Sequence, residues 1–160
     1  MKRTTGLFFL LNFIFVSTLF SLPNTPGIVK GTTMKIKLTS IYVKSPSQAL
    51  KFYTEILGFV EKMYVPESDL AIVASPEEPD GTQLLLEPNN HPIAKDYQER
   101  LYNAGIPAIV FGIEDIQKEY ERLKKLGVVF KNEPTETEWG IEAVFDDTCG
   151  NYVKLYQSKK

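Results

Sequence analysis

Residues 35–43, KIKLTSIYV, put Leu38, Ser40 and Tyr42 on one face of an extended segment and Thr39, Ile41 and Val43 on the other. This two-residue period predicts a strand with two unlike faces. SPSQ follows, and Ser45 or Ser47 can cap a helix by accepting a backbone N–H. Ala49, Tyr53 and Ile56 then recur at +4 and +3, which predicts an amphipathic helix over Ser47–Leu57. Gly58 ends it as a left-handed C-cap. Three strand-like runs come next: VEKMYV (60–65), LAIVA (70–74) and TQLLLE (82–87). EEPDG (77–81) turns between the last two.

A linking helix is predicted over HPIAKDYQERLYNAG, residues 91–105, with Pro92 in the first turn, where its missing N–H costs nothing, and Gly105 as the stop. The first layout then repeats. AIVFGI (108–113) reads as a strand, and Ile116, Tyr120 and Leu123 repeat the +4, +3 spacing of a helix that Gly127 caps. Strands follow at VVFKN (128–132), IEAVFDD (141–147) and NYVKLYQ (151–157). The Leu57–Gly58 and Leu126–Gly127 pairs stand 69 residues apart. The chain therefore reads as an α+β fold of two β-α-β-β-β modules, 34–88 and 106–160, whose sheets curl around a shared cleft.

Residues 1–33 are a different kind of sequence. Lys2 and Arg3 precede LFFLLNFIFVSTLF, a stretch of 14 residues of which 11 are apolar. A basic start and an apolar run of this length read as an export signal. The run is short of the about 20 residues that cross the ~30 Å of a bilayer core. A Pro/Gly/Thr linker follows. The alternatives are a retained anchor, from Gly6 to Leu22, and an untranslated upstream extension, with Met34 as the start of the folded domain. The protein is thus expected to be exported, periplasmic or secreted, if residues 1–33 are translated, and cytoplasmic otherwise. No stable membrane insertion is expected after processing.

The whole chain carries 18 Lys+Arg and 20 Asp+Glu, a net charge of −2. Residues 1–33 hold three of the basic residues and no acid, so the body from Met34 is more acidic than the total suggests. That argues against a nucleic-acid partner, which needs a basic face. The single cysteine, Cys149, excludes an intrachain disulfide, and the single histidine, His91, excludes any site needing two. The DDTCGN turn is expected to leave Cys149 exposed and His91 to sit in a surface loop. There is no Gly-rich phosphate loop, GxSxG elbow or CxxC pair.

FYTEILGF (52–59), the doubled unit, and the tail pattern F-x-D-x-x-G-N-x-x-x-L (Phe145, Asp147, Gly150, Asn151, Leu155) resemble the vicinal-oxygen-chelate superfamily, the group of glyoxalases, bleomycin-resistance proteins and extradiol dioxygenases. The resemblance spans nearly all of residues 34–160. It implies paired modules forming a cup for a small molecule. In the metal enzymes of the group, a His from each module's first strand and a Glu from its last strand hold a divalent ion. Those positions fall on Leu38, Leu85, Ala108 and Lys154. This donor set does not suit a transition metal, so no metal or cofactor is expected.

What remains to line the cup is apolar with a few orienting groups. The candidates are Ser40, Tyr42, Gln83, Glu87, Trp139, Lys154 and Tyr156. Tyr42 can equally be a core or rim aromatic, and Glu87 can simply be solvated. Lys154 can pair with Glu87 or snorkel outward. Trp139, before Gly140, stands where the family often places a lid. The reading that follows is a small-molecule-binding protein of the bleomycin-resistance kind, without the family's metal, and as a homodimer. The alternatives are a glyoxalase-like lyase or dioxygenase-type enzyme, and a non-catalytic protein-interaction module.

Overall fold

The first strand of each half pairs in parallel with the last strand of the same half, although a helix and two strands separate them in the chain. The computed structural model describes residues 33–159, so the expectations for residues 1–32 lie outside the described residues. In the first module β1 (Leu38–Val43) lies beside β4 (Gln83–Pro88), and the sheet runs on through β3 (Leu70–Ala74) to β2 (Val60–Val65). The second repeats this with β5 (Pro107–Gly112), β8 (Tyr152–Ser158), β7 (Gly140–Asp146) and β6 (Phe130–Glu136). The result is two four-stranded mixed sheets that do not close on themselves.

Helix α1 (Pro46–Lys51) starts where a serine and a proline are adjacent: Ser45 Oγ accepts the Gln48 N–H, and Pro46 fills the first turn. Its continuation, Phe52–Ile56, is a single π turn, which the heptad-like spacing did not predict. The extra residue in that turn lets adjacent aromatics both point inward. Phe52 reaches Phe145 of β7, at 6.4 Å between ring centroids, while Tyr53 is fully buried in the first module's core. Helix α2 (Pro92–Ala104) links the modules, with exposed His91 as its N-cap, and α3 (Ile116–Lys125) buries Ile116, Tyr120 and Leu123 at the expected spacing.

Two apolar clusters result. One centres on Ile41, Val43, Tyr53, Val73 and Leu86, the other on Ile116, Leu123, Phe145, Val153 and Leu155. Phe52 and Leu57 from the α1 segment, and Ile109 and Phe111 from β5, pack against both. Removing apolar area from water is stabilising, so these four half-buried residues, packed against both clusters, couple the stabilities of the modules.

The differences from the sequence expectations are at element ends. Lys35–Lys37 precede β1 rather than belonging to it, and β6 begins at Phe130 and runs on to Glu136. Pro66–Ser68 form one 3-10 turn between β2 and β3, where Asp69 takes a left-handed conformation. Among the described residues no helix is long and apolar enough to cross a membrane.

Candidate functional site

The alternation read from sequence places the faces as follows. Ile41, Val43, Leu84 and Leu86 of the first sheet, and Ala143, Phe145, Val153 and Leu155 of the second, are buried on the helix-bearing side. The alternate residues form two open faces. Ser40 lies beside Leu85 and Tyr42 beside Glu87 in the β1/β4 register. In the second module Lys154 lies between Val110 and Val144, and Tyr156 beside Glu142. Ser40↔Leu85 and Val110↔Lys154 are equivalent pairs in the two repeats; Leu38 shares the face of Ser40, whereas Ala108 sits at the register shift of β5 and packs against the first module's core.

The four positions derived from the family resemblance hold no imidazole, thiolate or carboxylate. Leu38 is 45% exposed, Leu85 and Ala108 are half-buried and apolar, and Lys154 Nζ lies 2.6 Å from Glu142 Oε2. The partner of Lys154 is thus its neighbour on β7, not Glu87. The antiparallel β7/β8 register puts Glu142 two residues from the position directly opposite Lys154 and on the same face. No three His, Cys, Asp or Glu side chains converge on a possible metal position among the described residues. The donor set does not fit the family's metal.

Helix α2 roofs one end of the open faces. Tyr97, Gln98 and Leu101 enclose, with Ser40, Tyr42 and Ala108, a cavity of about 210 Å³. Tyr102 stacks on Tyr152 with centroids 4.6 Å apart and planes 3° from parallel, and its hydroxyl donates to Asp146 Oδ2. Lys131 Nζ sits 5.1 Å from the Tyr152 ring centroid, on the aromatic stack.

A buried polar network holds this roof to both modules. Gln98 Nε2 donates to the Tyr42 carbonyl at 2.5 Å, and Asn151 Nδ2 donates to the same carbonyl at 2.9 Å. Asn89 Nδ2 donates to Gln98 Oε1 at 2.7 Å. Asp147 accepts the N–H groups of Cys149 and Asn151 at 2.8 and 2.9 Å, the Asn151 side chain at 2.9 Å, and the Tyr53 hydroxyl at 3.2 Å. The Asp, Gly and Asn of the tail pattern therefore build a turn rather than a reactive centre. Cys149, expected to be exposed, is buried in it, because its carbonyl is held by Lys44 N–H and the turn folds under β1. Burial pushes the Cys149 thiol up to about 12, which keeps it protonated and non-nucleophilic at neutral pH.

The seven candidates are not gathered in one enclosed space. Ser40 and Tyr42 line the cavity under α2. Gln83 lines a cavity of about 270 Å³ and Tyr156 one of about 540 Å³. Glu87, Lys154 and Trp139 line neither these three cavities nor two others, of about 170 and 390 Å³. Trp139 is 73% exposed, and its carbonyl accepts the Tyr156 hydroxyl at 2.8 Å. Tyr97, Gln98 and Leu101 were missed by the sequence reading. The available signal was their i, i+1 and i+4 placement beside the inward Ala94 of the linking helix.

A family model described as the Glyoxalase/Bleomycin resistance protein/Dioxygenase superfamily matches residues 35–155. The chain is 52% identical over 126 residues to the uncharacterized protein YurT of Bacillus subtilis (strain 168), covering 78% of this chain and 99% of that protein. Among solved structures it is similar to UcmS2, with a TM-score of 0.66 and 29% identity over 78% of this chain and 98% of that one. It is also similar to TnmS3, an antibiotic binding protein from Streptomyces sp. CB03234, with a TM-score of 0.64 and 24% identity over 81% of this chain and 99% of that one.

Proposed function

Since the chain belongs to the Glyoxalase/Bleomycin resistance protein/Dioxygenase superfamily, we propose that it binds a small organic molecule on its open faces, without a metal. The observation that carries this reading is the Lys154–Glu142 pair. It stands where a chelating relative would present an acidic ligand, and it leaves neither charge free for an ion. Around it Leu38, Leu85 and Val110 offer apolar surface, with Leu38 45% and Val110 53% exposed. Ser40, Tyr42 and Glu87 supply the few polar groups that would orient a ligand. The likeness to TnmS3, whose description is an antibiotic binding protein, supports the same reading.

The proposal includes a homodimer, as the family resemblance leads us to expect.

The test combines elemental analysis of the purified protein with a thermal-shift screen that includes bleomycin and aromatic small molecules. Well under one metal per chain, and a hit weakened about tenfold or more in Leu38→Asp, is the expected result. A stoichiometric metal removed only by strong chelation would overturn it, and so would a hit indifferent to Leu38→Asp.

A further inference from the structure

On the helix-bearing side of the molecule, at the N-terminal end of α3, two adjoining cavities of about 540 and 170 Å³ meet at Glu77, Gly112, Ile113 and Glu119, and Tyr156 of β8 reaches the larger one. They form a trough along the seam between the modules. Its floor is apolar: Leu57 and Phe59 from the α1 segment meet Phe111 of β5, Leu123 of α3 and Leu155 of β8. Phe59 and Phe111 are half-buried and pack at 5.0 Å between centroids with a 51° tilt, so aromatic surface lines the wall.

The rim is acidic. Glu77 comes from the segment between β3 and β4, and Glu114, Asp115 and Glu119 come from the start of α3. Lys118 is the one cation among the lining residues. The N-terminus of α3 adds about half a positive charge, which by itself would favour an anion. That charge is already answered within the helix. Asp115 accepts the Lys118 N–H at 3.0 Å as N-cap, and Glu119 lies in the first turn, bonded to Arg122 at 2.6 and 2.8 Å. Glu77 and Glu114 are exposed at the rim and make no ion pair among the described residues. The field over the trough is therefore negative, above an aromatic and aliphatic floor.

We propose that this trough is a second ligand site, for a small organic cation with an aromatic or aliphatic body, such as an aryl-alkyl amine. The body lies on Phe59, Phe111 and Leu155, and the ammonium group lies between Glu77 and Glu114. An ammonium near an aromatic face gains further from the ring quadrupole. The site is independent of the open-face reading, because the two cavities that form it are lined by none of Leu38, Leu85, Val110 or Lys154.

The test titrates the full, isotope-labelled chain with phenethylamine and, separately, with phenethyl alcohol as its neutral counterpart, following backbone amides by NMR. The amine is expected to shift Phe59, Gly112 and Ile113, and to bind several-fold more tightly than the alcohol. Salt should weaken the amine and not the alcohol, since the rim carboxylates are solvent-exposed. Glu77→Gln with Glu114→Gln should weaken the amine roughly three- to tenfold and leave the alcohol unchanged. Both residues are exposed, so the fold is expected to survive, and the unchanged alcohol response checks it. Leu38→Asp, which tests the open-face reading, should leave amine binding untouched. Shifts confined to Ser40, Tyr42 and Lys154, equal affinity for amine and alcohol, or no binding of the amine would each overturn the proposal.

Discussion

Tyr53, in the first module, donates its hydroxyl to Asp147, in the last turn of the second, at 3.2 Å across 94 positions of sequence. Both side chains are fully buried. This bond, with those of Asn151 and Gln98 to the Tyr42 carbonyl, clasps the modules at one end of the seam. The four shared apolar side chains join them along the rest of it.

Removing the two ends of that bond should have unequal costs. Tyr53→Phe deletes one hydroxyl and is expected to cost about 1–2 kcal/mol. Asp147→Ala strands the Cys149 and Asn151 amides, the Asn151 side chain and the Tyr53 hydroxyl together, and should cost about 3 kcal/mol or more. Urea unfolding of both variants measures this. Equal losses would mean that the Asp147 backbone bonds contribute nothing net.

The pH dependence of the clasp has a definite sign. Burial dominates at Asp147 and pushes its carboxyl above the ordinary 3.8, against four hydrogen bonds that pull it down. The folded protein then holds a proton that the unfolded chain has already lost. The stability from this group is full below 3.8 and is lost as pH rises through the folded pKa. Wild type compared with Asp147→Asn should show a stability difference that moves in favour of wild type as pH falls through this window, levelling off below it. A difference moving the other way would show that the hydrogen bonds outweigh burial.

Two left-handed glycines separate backbone strain from crowding. Gly58 has φ +82, and a Cβ there would meet nothing within 4 Å, so Gly58→Ala should cost about 1–2 kcal/mol from conformation alone. Gly150 has φ +103, and its Cβ would lie 2.9 Å from Gln98 Nε2, which the network holds in place. Gly150→Ala is therefore expected to lose more than Gly58→Ala, and to loosen α2. Thermal unfolding ranks the two, and hydrogen exchange in α2 reads the loosening. Equal losses would rule out crowding by Gln98.

The Lys154–Glu142 pair is about a quarter exposed at each side chain. A double-mutant cycle of Lys154→Met and Glu142→Gln should give a coupling of about 1 kcal/mol, above the range of many surface pairs. Lys154→Met alone should be worse than the double variant, because it leaves Glu142 half-buried without a counter-charge. A coupling near zero would return Lys154 to the pool of groups free to meet an anionic ligand.

The pattern of residues was enough to read eleven of the described elements, eight strands and three helices. Three helices follow from spacing, with Pro92, Gly58, Gly105 and Gly127 marking their ends; the structure chooses Ser45 over Ser47 as the first cap and adds Asp115 as the cap of α3. The assignment of Leu38, Leu85 and Lys154 to open faces follows as well, because side chains alternate strictly along a strand and one buried neighbour fixes the rest. Glu142 as the partner of Lys154 was not legible, since the choice between Glu142 and Glu87 depends on which strand lies alongside β8.

What the sequence by itself determined is therefore local: the repeated β-α-β-β-β order and the two faces of each strand. Each follows from backbone periodicity and side-chain chemistry within about ten residues. The tertiary structure alone decided the burial of Cys149, the π turn that buries Tyr53 in one core and sets Phe52 between the two, the roof that α2 makes, and the acidic trough at the seam. Each of these joins residues tens of positions apart. Whether a polar group is buried, paired or free depends on the neighbours that chain packing brings to it, and no local pattern carries that information.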